Sequence, residues 1–164
     1  MTTLYVDNIA PNLQSKISAP NLTLPSGSVI QVQSFSHTTR LNTNSESFVP
    51  TSTAVSITPT SSSSKILVFV SSGTDVNNTI TDESRYTLYR DSTNLGDSTV
   101  GFGMAMGLNV RIRVPVAFQY LDSPSTTNQI TYTLYVRSQS NTSTVEWNGT
   151  NNTTHAITAM EIAG

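Results

Sequence analysis

Few side chains in this sequence can move a proton or hold a metal, and they are widely spread. The imidazoles are His37, in the polar run Ser36-His37-Thr38-Thr39-Arg40, and His155, at the head of the last apolar ladder. A nucleophilic hydroxyl needs such a base beside it. Neither histidine lies in a motif that supplies the pairing, and each reads as an ordinary surface or hydrogen-bonded histidine. Asp75, Asp82 and Glu83 share one expected loop, where carboxylates can hold a hard cation such as calcium. Their spacing matches no ligand loop, which leaves solvation as the reading. Glu146 and Trp147 lead into Asn148-Gly149-Thr150-Asn151-Asn152 and read as a turn with an exposed aromatic. An aromatic ringed by Asn, Thr and Glu can stack on a sugar and bond its hydroxyls, so Trp147 and Glu146 are the candidate glycan contacts.

Gly101, Gly103 and Gly107 are interleaved with Val100, Phe102, Met104 and Met106. A phosphate-cradling loop would run into a helix and usually carry a Lys, and neither follows. A bulged strand, or one packed closely across a subunit boundary, is the expectation. The chain has no cysteine, which excludes disulfides, thiolate metal sites and a cysteine nucleophile. No catalytic residue, cofactor or metal is expected. A glycosidase-type pair of carboxylates would have to be brought together by folding.

What the sequence does specify is a set of elements. From Val110 to Tyr120, apolar residues alternate with Arg111, Arg113 and Gln119, and from Ile130 to Val136 a second ladder alternates with Thr131, Thr133 and Tyr135. Period-two patterning of this kind marks half-buried antiparallel strands. Strands are expected at 29–36, 53–58, 65–71, 84–90, 98–105, 110–121, 129–138, 144–147 and 155–162, separated by turn-rich linkers, which implies a sandwich or barrel. Ile66 to Val70 is apolar on both faces and so belongs to a central strand covered on both sides. Of 164 residues, 24 are Ser and 26 are Thr, against 11% charged. Hydroxyls therefore replace charges as the solvating groups, with Thr suited to sheet faces and Ser to turns.

A net charge of −2 with only Lys16 and Lys65 as lysines leaves no basic footprint for nucleic acid. Arg111 and Arg113 share a strand face and read as its solvated side. No apolar run approaches the ~18 residues of a membrane span, and the N-terminus has no secretion-signal pattern. Residues 1–28 stand apart from the domain of residues 29–164. Pro11, Pro20 and Pro25 break every helix-length stretch, while Leu4, Tyr5, Val6, Ile9, Leu13 and Ile17 recur too often for a disordered tail. This is the composition of an extended docking arm whose side chains must be buried by another subunit or protein.

Both ends of the chain carry a resemblance. Leu4-Tyr5-Val6-Asp7-Asn8-Ile9, Gly27-Ser28-Val29-Ile30-Gln31-Val32, Ile57-Thr58-Pro59 before Lys65-Ile66-Leu67-Val68, Leu121-Asp122-Ser123-Pro124 and Met160-Glu161-Ile162-Ala163-Gly164 are similar to segments of small tail-fibre-like structural proteins of bacteriophages, especially aquatic ones. The resemblance implies an all-β antiparallel jelly-roll sandwich, preceded by the extended N-terminal arm. It looks like the trimeric jelly rolls of the tumour necrosis factor and complement type, in which one sheet face packs about a threefold axis. It further implies a non-enzymatic virion protein made in the host cytoplasm. Such a homotrimer would be fixed through its arm to the major capsid protein or a tail component, as head decoration (cement) or short fibre. The alternative is a carbohydrate-binding module of a tail fibre for host surface glycans.

Overall fold

The computed structural model describes residues 24–77, 82–108, 110–141, 144–147 and 153–164. The expected docking residues Leu4, Tyr5, Val6, Ile9, Leu13 and Ile17 lie outside them. The described residues form eleven strands and no helix: β1 (Val29–His37), β2 (Leu41–Thr43), β3 (Val49–Ile57), β4 (Lys65–Asn77), β5 (Asp82–Arg90), β6 (Thr93–Asn94), β7 (Gly103–Gly107), β8 (Ile112–Asp122), β9 (Ile130–Ser138), β10 (Thr144–Trp147) and β11 (His155–Ile162).

The long strands make two antiparallel sheets. The first runs β8-β4-β11-β1, with short β10 and β2 continuing the rows of β11 and β1; the second runs β3-β9-β5-β7, with β6 beyond the end of β7. Chain order crosses repeatedly between the sheets, and this strand order is that of a jelly roll, two Greek keys wrapped into a sandwich. The 13-residue β4 is the central strand that its two apolar faces imply, with β8 along one edge and β11 then β10 along the other.

Period two decides what the sandwich buries. On β9, Ile130, Tyr132, Leu134 and Val136 are at most 4% exposed, while the alternate residues are half-buried. Ile66, Val68 and Val70 of β4 and Ile157 and Ala159 of β11 close the core from the opposite sheet. On the edge strand β8 Val116 is the one apolar residue that is fully buried; Phe118 is held by stacking on Tyr86 and Phe102 at 5.6 and 5.2 Å. A polar clasp ties the sheets at one end. Arg90 Nη1 donates to both oxygens of Asp122, at 2.9 and 2.8 Å, and the buried Tyr132 hydroxyl donates to Asp122 Oδ2 at 2.7 Å.

Three expectations are corrected here. Strand 144–147 forms, but Trp147 is no exposed turn aromatic: it is 1% exposed, because Val145 and Trp147 point inward while Thr144 and Glu146 take the other face. Asp75, Asp82 and Glu83 are not loop residues, since Asp75 belongs to β4 and the other two open β5, all buried. The expected strand 98–105 begins only at Gly103. Before it, Asp97 Oδ1 accepts the Thr99 and Val100 amides at 2.7 and 2.8 Å, and the chain turns back at Gly101, φ 74°. A Cβ on Gly101 would lie 2.2 Å from the Tyr86 carbonyl oxygen, so the close approach its missing side chain permits lies within this chain.

Candidate functional site

The outward side chains of the first sheet form a register of rows across β8, β4, β11 or β10, and β1 or β2. At one end the row is Arg113-Asp75-Glu146-Asn42. Further along come Ala117-Ser71-Ala156-Ser36, then Gln119-Phe69-Thr158-Ser34, then Leu121-Leu67-Met160-Val32. The last three rows contain no charged side chain. Phe69 is 37% exposed, and Leu121 and Val32 about half. Between Phe69 and the small residues Ser71, Ala117 and Ala156 lies an open groove of about 410 Å³. A central strand whose outer face carries Leu67 and Phe69 is thus open to solvent in the single chain, where its sequence calls for cover.

The charged row brings together residues that sequence reading held apart. Arg111 Nε donates to both Asp75 oxygens at 2.9 and 2.8 Å, and Arg113 Nε to Asp75 Oδ2 at 2.8 Å. Arg111 Nη2 reaches Glu146 Oε2 at 2.9 Å, and Arg40 Nη2 reaches Glu146 Oε1 at 2.6 Å. Arg111 and Arg113 are therefore more than the solvated side of a strand: they neutralise two buried carboxylates from neighbouring strands. Burial pushes the Asp75 carboxyl up, but the hydrogen bonds and charge of Arg111 and Arg113 outweigh it and hold it below the usual carboxylate range. Folding does place two carboxylates, Asp75 and Glu146, in register. Arginines bond both, and those on Asp75 favour its charged form over the protonated one a general acid requires.

The other candidates go elsewhere. Asp82 Oδ2 accepts the Ser138 hydroxyl at 2.6 Å, and Glu83 is bonded by Arg85 Nε at 2.8 Å. Among the described residues no three His, Cys, Asp or Glu side chains are grouped to hold a metal. His37 and His155 are register partners on β1 and β11, with rings stacked at 5.5 Å. His37 Nδ1 accepts the Thr39 amide at 3.0 Å, which leaves Nε2 to donate to Thr53 Oγ1 at 2.9 Å. The buried His155 meets the Ser72 hydroxyl through Nδ1, but its Nε2 has no partner. Among the described residues no acid bonds either imidazole, so the Ser72–His155 contact has no third group of a nucleophilic triad there. Trp147 packs inward between the tilted rings of His155 and Tyr86, at 6.2 and 6.1 Å, and with 1% of its surface exposed a sugar cannot lie on its ring. Sequence reading missed the charged row because its members sit on four strands. The one available signal was Arg111 and Arg113 sharing a face with acids elsewhere to meet them.

No protein-family model and no curated protein matches this chain.

Proposed function

We propose that this chain is a non-enzymatic structural protein of a bacteriophage particle. It works as a homotrimer, with the outer face of the first sheet against the threefold axis and the N-terminal arm fastening the trimer to a capsid or tail protein. The observation that carries this reading is the three-row neutral field formed by the Leu121, Gln119 and Ala117 rows. About a symmetry axis each residue meets its own copies, so a charged face would repel itself, whereas Leu, Met, Phe, Ala, Ser and Thr pack without that penalty. The arginine-rich row lies at one end of the face, where the copies can diverge into solvent. The arm is suited to leave from the opposite end, since Gly27 N donates to the Ala163 carbonyl at 2.8 Å and Ala163 N to the Ser28 carbonyl at 2.9 Å, beside the Leu121 row.

The glycan reading loses its anchor with Trp147 in the core. The glycosidase reading is disfavoured by arginines on both Asp75 and Glu146. The test is sedimentation of the full chain, expected at three times its 17.7 kDa mass, together with a variant lacking residues 1–25. That variant should remain a trimer yet fail to join particles. A strictly monomeric full chain, or undiminished incorporation of the truncated one, overturns the proposal.

A further inference from the structure

On the outer face of the second sheet, Arg137 of β9 stands directly opposite Arg85 of β5. Like charges in register on neighbouring strands repel and lower stability. Arg85 is compensated, with Nε donating to Glu83 Oε2 at 2.8 Å and Nη1 to the Thr99 carbonyl at 3.2 Å. Arg137 is not. Among the described residues it is the arginine with no carboxylate at ion-pair distance; the other five each have one. Its Nη1 donates to the Glu46 carbonyl at 2.6 Å, its guanidinium lies 5.5 Å from the Phe48 ring centre, and its solvent-shielded Nε has no acceptor. A guanidinium does not shed its proton in a protein. Burial and then Arg85 weigh against the charged form, and the carboxylates of Glu46 and Glu83 favour it only from beyond contact distance.

We propose that Arg137 anchors a binding site for an oxyanion, the carboxylate or sulfate of an acidic saccharide. With Nε shielded, the fork left to such a group is that of the two terminal nitrogens, Nη2 and the second Nη1 proton, and half-burial makes the pairing stronger than on an open surface. The surroundings fit the sugar. Tyr135, two residues away on the same face of β9, stacks on Tyr89 at 3.9 Å, and Thr133 and the Phe48 ring flank this patch. Aromatic faces and hydroxyls around one fixed charge orient a saccharide while the charge selects it. The site lies on the sheet opposite the proposed self-association face and does not depend on that reading.

The test is thermal denaturation of the full chain with D-glucuronate, sodium sulfate or D-glucose, ionic strength being held constant with sodium chloride. A ligand that binds only the folded chain raises its melting temperature. Glucuronate is expected to raise it and glucose is not. Arg137→Gln should weaken glucuronate binding by about 10- to 100-fold, the worth of one charge-assisted pairing. Arg137→Lys keeps the charge without the fork; it should bind detectably but more weakly than the parent, and it serves if Arg137→Gln does not fold. A rise with sulfate alone that Arg137→Gln removes assigns the site to a free inorganic oxyanion and overturns the saccharide, since sulfate excluded from the surface would stabilise both proteins alike. No rise with either anion in the parent, or an undiminished rise in Arg137→Gln, overturns the site.

Discussion

At the scale of single residues, His155 should dominate the acid response of the fold. Its ring is fully buried between His37 and Trp147, and burial, with the neighbouring His37, pushes its pKa down to about 4. Burial lowers the pKa of His37 too. The unfolded chain takes up the His155 proton near 6.5 and the folded one only near 4. Stability is thus fully present above about 6.5 and is lost as the pH falls from there towards 4. Asp75, Asp97 and Glu161, held below their ordinary carboxylate values, act only at lower pH. Melting at pH 5 against pH 7 therefore isolates the histidines. The expected loss is about 1–2 kcal/mol, and His155→Phe should remove most of it; an unchanged difference in that variant contradicts the assignment. That His155 begins a strand was legible from the sequence. Its burial against a second histidine was not, because the pairing of β1 with β11 brings together residues more than a hundred positions apart.

At the scale of elements, the long alternations of β8 and β9 were plain, and so was the two-faced apolar run that makes β4 central. The short strands β2 and β6 carry no ladder of their own and exist because β10 and β5 offer them an edge. The Glu146-Trp147 segment misled through composition. Its Asn- and Thr-rich sequel suggests a turn, yet the alternation of Val145, Glu146 and Trp147 already assigns two residues inward and one outward. The loop before β7 shows the same competition between composition and backbone geometry. Gly101 has positive φ and lies against the Tyr86 backbone, and Phe102 N donates to the Tyr86 carbonyl at 2.8 Å. Gly101→Ala should cost about 1–3 kcal/mol from the backbone conformation alone, with the clash in addition. Gly27→Ala has positive φ but no atom within 4 Å of the added methyl, so it should cost less. Urea denaturation of the two variants ranks them, and equal losses would mean that the contact with Tyr86 contributes nothing.

At the scale of the whole molecule, the jelly roll leaves three rows of one sheet face uncharged and uncovered and gives the other face a lone uncompensated arginine, so the two faces are suited to different partners. If copies of the chain cover the first face, folding and association are linked and stability must depend on protein concentration. The melting temperature of the full chain should rise with each tenfold increase in concentration. Phe69→Glu should abolish that dependence. Phe69 is on the outer face of the central strand and 37% exposed, so glutamate there meets water in a single copy, and the variant should remain folded. Three glutamates converging at an axis would repel one another with nothing nearby to neutralise them, since the rows on either side carry no cation. Arg113→Glu is the control. It reverses a charge at the far end of the face, beside Asp75, and should lower stability through that pair while leaving the concentration dependence in place. A melting temperature independent of concentration in the parent, or a dependence that survives Phe69→Glu, would show that this face stays open to solvent.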